Sequence, residues 1–346
     1  MLKKIKKMVL DGAKLGGCTS LIRESQWRQN RLLILAYHGV SIEDEHQWDS
    51  SLFVSPDFLR ERFNLILKNG CIVLPLEEAI VRLYERSLPK KALAITFDDG
   101  LFDFYEKALP IVKEFNFPVT VYLTSYYSIF NKPVFSIACS YIIWKAKNTS
   151  VVDLQNLIGK DEKIKLDRVE SQQRAHALIV NFSSEHKLAA DEKNELLKKL
   201  AKGINVDFEE LCDKRIMNLM TLAEVEACAK AGVDIQLHTH RHRTPLDETL
   251  FLNEISDNRK IIQSVVNKPI NHFCYPSGIY DQTFFPWLKS AQVISATTCE
   301  VALSTSQTNP LSLPRLVDTM QLSNIEFESW LSGIAQFLPQ RKRPGR

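Results

Sequence analysis

Short apolar runs alternate with segments of helical periodicity along the first third of the chain. The runs at 32–37 and 92–97 have strand length and are almost continuously apolar, which is typical of strands buried on both faces of a parallel sheet. A third strand is predicted at 119–124. Ahead of the second run, Ser55 and Pro56 open a helical pattern as N-cap and first helical residue. This alternation predicts a parallel α/β sheet or barrel.

The alternation stops between residues 131 and 216, where segments rich in Lys, Glu, Leu and Ala predict helices. It resumes at Thr221, which forms a capping box with Glu224, and further strands are predicted near 233–237 and 272–275. We therefore predict four parts: a basic N-terminal helical segment (1–30), a barrel (31–130 and 217–335), a helical insertion (131–216) and a basic tail (336–346).

The overall charge does not indicate a nucleic-acid-binding protein, because 44 basic residues nearly balance 41 acidic ones. The seven cysteines are widely spaced and include no C-x-x-C, so we expect neither a disulfide framework nor a cysteine zinc site. No apolar run is long enough to span a bilayer, and the N-terminus has no apolar signal-peptide core. The lysines within 1–14 predict either a solvated helix or attraction to an anionic membrane surface.

Two adjacent carboxylates, Asp98 and Asp99, follow the second apolar run and precede Gly100. Adjacent carboxylates repel each other unless a positive charge lies close to one of them. A divalent metal would remove that repulsion. Neighbouring side chains diverge at a strand end, so one carboxylate can bind metal while the other faces a reacting water. The alternative is a solvated turn without a ligand.

Three of the eight histidines, His238, His240 and His242, directly follow the strand predicted at 233–237. Two imidazoles from such a segment can bind one divalent metal. His238 and His242 suit a helical turn or compact loop, whereas His238 and His240 would suit an extended strand. An exposed turn with incidental histidines is the alternative, and the concentration of histidine disfavours it.

The segment Tyr275, Pro276, Ser277 and Gly278 follows another predicted strand, and His38 ends the first one. Proline and glycine around one residue fix an unusual backbone, which can direct N–H groups at an anion, although an ordinary β-turn also explains this segment in isolation. Sites in parallel α/β folds gather at the carboxyl ends of strands. We therefore expect these residues to share one site with the paired aspartates and the histidine cluster.

Taken in order, these motifs resemble those of the polysaccharide deacetylases, carbohydrate esterase family 4. Residues 96–100 resemble the first motif of that family, His238-Thr239-x-x-His242 resembles the second, and Phe273-x-Tyr275-Pro276-x-Gly278 resembles a variant of the third. The resemblance covers roughly residues 31–130 and 217–320, and the pairing of motifs makes it specific.

The resemblance implies a distorted (β/α) barrel of the polysaccharide deacetylase type, with fewer strands than the eight-stranded form and here with a helical insertion. It implies that Asp98 is the general base and that Asp99, His238 and His242 hold a divalent metal, most often zinc. The expected reaction is metal-dependent hydrolysis of the N-acetyl group of an amino sugar. A backbone N–H near Ser277 would help to hold the oxyanion.

Two departures from the family pattern concern the third motif and the proton donor. The third motif lacks the arginine that many members carry, and no histidine follows His272 to act as the usual general acid. One branch of the family instead carries a Tyr-His pair near its N-terminus, which Tyr37 and His38 match. An amine leaves readily only if it gains a proton as the C–N bond breaks. We therefore expect His38 to be that acid, the alternative being a hydrogen bond within the loop 39–41.

The expected substrate is an N-acetylated sugar in a glycan or a lipid-linked precursor, since a cytoplasmic enzyme would meet precursors rather than finished polymer. The expected location is the cytoplasm, with peripheral contact to the inner face of the membrane through the basic N-terminus. The alternatives are a same-fold metal hydrolase of another amide, an inactive glycan-binding relative and a membrane-surface scaffold. An inactive relative has no need of Asp98, and a scaffold leaves the histidines unexplained.

Overall fold

The apolar runs of the sequence form the strands of one curved parallel sheet. This computed structural model describes residues 18–146 and 150–338, so the predicted helical segment before residue 18 and the tail after residue 338 lie outside the described residues. The strands are β1 (Leu33–Tyr37), β2 (Gly39–Val40), β3 (Phe53–Val54), β4 (Ile72–Val73), β5 (Ala92–Phe97), β6 (Val119–Leu123), β7 (Val151–Asp153), β8 (Lys163–Lys165), β9 (Asp234–Leu237), β10 (His272–Cys274), β11 (Ser295–Thr297) and β12 (Leu316–Val317).

The main sheet runs in the order β11-β10-β9-β6-β5-β1-β12, with β4 also paired to β5. Every pair in it is parallel. The sheet curls into a half-barrel, which confirms the predicted fold class. Because all its strands point the same way, their carboxyl ends meet at one mouth.

The helices begin and end largely where the capping signals predict. The Ser55 hydroxyl accepts from the Phe58 amide, and Thr221 and Glu224 form the predicted capping box. The helices are α1 (Cys18–Arg23), α2 (Gln26–Gln29), α3 (Glu45–Trp48), α4 (Pro56–Lys68), α5 (Leu76–Tyr84), α6 (Leu109–Phe115), α7 (Tyr126–Phe130), α8 (Phe135–Lys145), α9 (Leu154–Ile158), α10 (Val169–Glu185), α11 (Ala190–Gly203), α12 (Phe208–Asp213), α13 (Leu222–Lys230), α14 (Glu248–Gln263), α15 (Phe284–Ser290) and α16 (Asn324–Ser332). One π turn (Phe104–Ala108) leads into α6, and 3-10 turns lie at Pro276–Gly278, Pro310–Ser312 and Ile334–Phe337.

The two faces of the sheet bury different sets of side chains, as alternation along a strand requires. Leu33, Leu35 and Tyr37 of β1 belong to the large core that also contains residues of α4, α6, α13 and α14. Ile34 of β1 and Ala94 of β5 belong to a second core on the inner face, together with residues of α5. By the same alternation, the residue after each of these strands returns to the inner face, at the mouth.

Residues 131–216 pack around a third core, built mainly from α8, α10 and α11. The sequence predicts only helices here, but β7 and β8 form a small antiparallel pair. This core includes Phe53 and Leu101 of the barrel, and Asp44 accepts hydrogen bonds from Tyr141 and Lys145. The helical segment therefore packs against the chain that follows β1 and β5.

Within residues 18–146 and 150–338, helix length and hydropathy give no candidate for a bilayer-spanning segment.

Candidate active site

The residues predicted from sequence to carry chemistry meet at the mouth of the half-barrel. Tyr37 of β1 pairs in register with Phe97 of β5, so the next residues, His38 and Asp98, lie side by side. The ladder continues one residue further, because the Asp98 amide donates to the Tyr37 carbonyl (2.9 Å). His38 Nε2 lies 3.7 Å from Asp98 Oδ2 and remains partly exposed to solvent.

Asp99, His238 and His242 form one group of metal-ligating side chains. Asp99 Oδ1 lies 3.1 Å from His238 Nε2 and 3.2 Å from His242 Nε2. One ligand atom from each residue lies within 4.8 Å of the other two. Two imidazole nitrogens and a carboxylate oxygen are a typical set for a catalytic zinc site, which keeps a further position open.

The hydrogen bonding of His238 suits a metal ligand. Its Nδ1 lies 2.8 Å from the carbonyl oxygen of Cys274, and only a protonated nitrogen can donate to that acceptor. In the neutral imidazole, Nε2 then carries a lone pair that faces the Asp99 carboxylate oxygen. Two acceptors 3.1 Å apart repel each other unless a proton on Nε2 or a metal ion lies between them. The three residues therefore fit a divalent metal.

His240 is turned to a different environment from His238 and His242. Its Nδ1 lies 2.9 Å from the Ser125 hydroxyl, and its ring contacts the edge of Tyr126. Burial lowers the pKa of His240. His242 therefore lies beside Asp99, whereas His240 attaches the loop after β9 to the start of α7.

Asp98 is held by a buried arginine that the sequence analysis missed. Arg315 Nη1 donates to Asp98 Oδ1 and Nη2 donates to Asp98 Oδ2, both at 2.7 Å. The same guanidinium donates to the Thr96 hydroxyl and the Thr298 carbonyl, both at 3.0 Å. This two-pronged geometry fixes both oxygens of the carboxylate. Arg315 supplies a guanidinium although the third motif lacks one.

A second group of donor atoms, from Asp98, His238 and Cys274, is also close enough to hold an ion. Arg315 Nη2 lies 3.0 Å from the Cys274 sulfur and 2.7 Å from Asp98 Oδ2. The fixed positive charge of the guanidinium occupies the place that a metal would need. Asp99, His238 and His242 are therefore the better metal site.

The ionisation of the two aspartates follows from their neighbours. Burial would raise the pKa of Asp98, but the Arg315 charge outweighs burial and the pKa lies below its usual value. Burial would also raise the pKa of Asp99, yet the charges and hydrogen bonds of His242 and His238 hold it well below its usual value. In return, Asp99 outweighs burial and raises the pKa of His242. Both carboxyl groups are thus ionised at neutral pH.

The third motif forms a tight 3-10 turn at Pro276–Gly278. Tyr275 is buried, its hydroxyl donates to the Leu311 carbonyl (2.8 Å), and its amide donates to the Thr297 carbonyl (3.2 Å). Its side chain is thus a packing element rather than the predicted substrate contact. Gly278 has a φ of +68°, and a Cβ there would meet Cys299 Cβ at 2.7 Å, so only glycine fits.

Each of the three motifs contains non-glycine residues with left-handed backbone. Asp99 (φ 70°), Thr239 (φ 61°), His242 (φ 55°) and Ser277 (φ 57°) all adopt it without being glycine. Such residues cost on the order of 1 kcal/mol or more each and persist only where the surroundings impose them. The loop after β9 is stabilised in part by the Thr239 hydroxyl, which accepts from the Arg243 amide at 3.0 Å. Strain of this kind is typical of functional sites.

Comparison with known proteins identifies the family of this chain. The polysaccharide deacetylase family matches residues 85–295, and the chain belongs to that family. The chain is 35% identical over 102 residues to the poly-beta-1,6-N-acetyl-D-glucosamine N-deacetylase of Escherichia coli (strain K12), which covers 29% of this chain and 15% of that protein.

Two solved structures share the fold over most of their length. The deacetylase PplD of Streptococcus pyogenes in complex with acetate matches with a TM-score of 0.57 and 18% identity, covering 88% of this chain and 97% of that one. IcaB from Ammonifex degensii matches with a TM-score of 0.56 and 14% identity, covering 87% of this chain and 97% of that one. At these sequence identities the structural similarity shows a shared fold.

Proposed function

We propose that this protein is a metal-dependent deacetylase that hydrolyses the N-acetyl group of an amino sugar. The observation that carries the proposal is the juxtaposition of an arginine-held carboxylate, Asp98, with the metal-ligating group of Asp99, His238 and His242. An anchored base beside a metal site is what amide hydrolysis needs.

Asp99, His238 and His242 would hold the metal, and zinc suits their nitrogen and oxygen ligands. When bound, the metal supplies Lewis-acid polarisation of the acetyl carbonyl and lowers the pKa of water. The Cys274 carbonyl orients the imidazole of His238 for this role.

Asp98 is the proposed base that accepts a proton from the attacking water. Its two hydrogen bonds to Arg315 fix the direction of the carboxylate, and its lowered pKa keeps it ionised. The oxyanion is held by a backbone N–H of the third motif. Pro276 has no N–H, and the amides of Tyr275 and Gly278 donate to carbonyls. The Ser277 amide is therefore the proposed donor.

His38 is the proposed acid that protonates the departing amine, as in the branch with an N-terminal Tyr-His pair. It lies beside Asp98 on the inner face and remains accessible. Tyr37 supports it from the other face, where its hydroxyl donates to buried Asp318 (2.9 Å). That bond holds the end of β1, and with it the position of His38.

Replacing His38 with alanine is expected to lower the rate by about 100-fold or more, since general acid catalysis contributes on that order. A general acid is active only while it carries a proton, so the wild-type pH–rate profile should have an alkaline limb. The variant should lose that alkaline limb. The pH–rate profile of metal-loaded protein measures both effects.

His186→Ala removes an exposed histidine of the insertion and is the matched control, expected to keep both the rate and the profile. A His38→Ala variant with wild-type rate and an unchanged alkaline limb would make His38 structural.

The insertion, residues 131–216, is proposed to shape substrate choice. Its core packs on Phe53 and Leu101, in the segments that follow His38 and Asp99. It brings no recognisable motif of its own, so a contribution to the walls of the substrate groove is the role that its position supports.

The proposed substrate is an N-acetylated sugar of a glycan or of a lipid-linked precursor. The name of the Escherichia coli relative supports the sugar class. Acetate released from a panel of N-acetylglucosamine oligomers, lipid-linked N-acetyl sugars and non-sugar amides tests it. Release from the sugars and not from the other amides is the expected result, and the reverse preference would refute it.

A further inference from the structure

Helix α14 carries two polar side chains on its buried face. Phe251, Ile255 and Ile262 pack that face into the large core of the barrel. Glu254 and Asn258 lie on the same face, one turn apart, and are 1% and 0% exposed. A buried carboxylate or amide costs free energy unless its hydrogen bonds are satisfied. The partners of these two side chains therefore indicate why a packing helix carries them.

Glu254 holds the segment that carries His242. Its Oε2 accepts from the Arg241 amide (2.7 Å), and its Oε1 accepts from Arg241 Nη1 (3.2 Å) and Arg243 Nε (2.7 Å). Its backbone carbonyl accepts from the His240 amide (3.1 Å). One residue of α14 thus binds the chain on both sides of His242.

Asn258 holds the point at which His238 leaves β9. Leu123 and Leu237 are the last paired residues of β6 and β9. Beyond this pair, Asn258 Oδ1 accepts from the His238 amide (3.0 Å). Its Nδ2 donates to the Leu123 carbonyl and to the Ser125 hydroxyl, both at 2.9 Å. The acceptor and both donor hydrogens of the amide are in use, which fixes its orientation.

The loop between these anchor points has a backbone that needs support. Thr239 (φ 61°) and His242 (φ 55°) are both left-handed. A β-branched or bulky residue keeps such a conformation only where its surroundings impose it. Glu254 and Asn258 bond to the chain at residues 238, 240, 241 and 243, so they are part of those surroundings.

We propose that Glu254 and Asn258 are positioning residues for the metal site. They set the backbone of residues 238–243 so that the imidazoles of His238 and His242 face Asp99. Both act through the loop rather than as ligands. This inference rests on the metal site of the proposed function.

Zinc affinity of the full chain, measured by competition with a chromophoric chelator, tests this proposal without turnover. Glu254→Gln keeps the size of the side chain but removes the charge that pairs with Arg241 and Arg243. It is expected to weaken zinc binding by about tenfold, the lower end of what loss of a supporting residue around a metal costs. Asn258→Asp retains the acceptor for the His238 amide but loses both amide donor hydrogens, and a similar loss is expected.

Glu224→Gln is the matched control for Glu254→Gln. Glu224 also accepts from a backbone amide, that of Thr221 (2.8 Å), and from an arginine guanidinium, that of Arg215 (3.0 Å). It lies in the first turn of α13, outside the loop at 238–243. The control is expected to keep the zinc affinity of the wild type, and thermal unfolding of the metal-free proteins compares their stabilities.

Arg243→Ala removes one bond to Glu254 from the solvent side. Its side chain is largely exposed, so this variant carries the test if the variants of α14 do not fold. A severalfold weakening of zinc binding is expected, because the bonds from Glu254 to Arg241 and His240 remain.

Two outcomes would overturn the proposal. The folded variants at Glu254, Asn258 and Arg243 could bind zinc as tightly as the wild type. Glu224→Gln could also lose as much affinity as Glu254→Gln, which would make the effect one of overall stability. Acetate release by the wild type reports separately on the proposed function. Wild-type protein that binds zinc but releases no acetate would refute the reaction alone, whereas wild-type protein that binds no zinc would refute both.

Discussion

Asp98→Asn is expected to lower turnover by about a thousandfold, within the range that a positioned general base contributes. The asparagine amide cannot accept the proton of the attacking water. Asp98 is outside the group of Asp99, His238 and His242, so the variant should still bind metal. It also leaves the fully buried Arg315 without its counter-charge, which we expect to lower the free energy of unfolding by about 3 kcal/mol.

Turnover of metal-loaded protein and thermal unfolding measure these two effects separately. Asp103→Asn is the matched control, because Asp103 is also buried and accepts from the Val40 amide. Burial raises the pKa of Asp103 well above its usual value. Replacing this carboxyl with the neutral amide of asparagine therefore changes its charge less than the same replacement at Asp98. The control should keep most activity. Near-normal turnover of folded, metal-loaded Asp98→Asn would refute the base assignment.

His242→Ala is expected to lose bound metal and activity together. Loss of one of three ligands should cost more than the roughly 100-fold that loss of a supporting residue around a metal costs. His242 is also the most exposed of the three ligands, so its removal disturbs packing least. Metal content by mass spectrometry and acetate release are the two measurements.

His240→Gln is the control that tests whether loss of metal is specific to replacement of His242. His240 lies two residues away on the same loop and bonds to Ser125 rather than to Asp99. The amide of glutamine can replace that hydrogen bond, so the control should retain metal. Full metal occupancy in His242→Ala, with loss in His240→Gln, would reverse the ligand assignment.

Much of the fold could be predicted from sequence because local signals agree with tertiary packing. The run at 92–97 coincides with β5, since a parallel strand covered on both faces must be apolar throughout. Ser55 and Thr221 mark helix starts because their hydroxyls satisfy amides that the helix leaves free. The position of Asp98 and Asp99 at the mouth follows from strand polarity alone.

The remaining features depend on contacts distant in sequence. Arg315 lies 217 residues from the carboxylate that it holds, in a segment without a motif. Its one local signal is a charged residue between Pro314 and an apolar strand. The choice of His242 over His240 required the left-handed backbone at Thr239 and His242, which β-branched and bulky residues rarely adopt.

The measurement that tests the central claim most directly is acetate release from N-acetylglucosamine oligomers before and after removal of metal. The ligand atoms of Asp99, His238 and His242 lie close enough together to hold one divalent cation. The protein should therefore lose activity when a chelator strips it and regain activity when zinc is returned. Undiminished acetate release from protein shown to be metal-free would contradict the account.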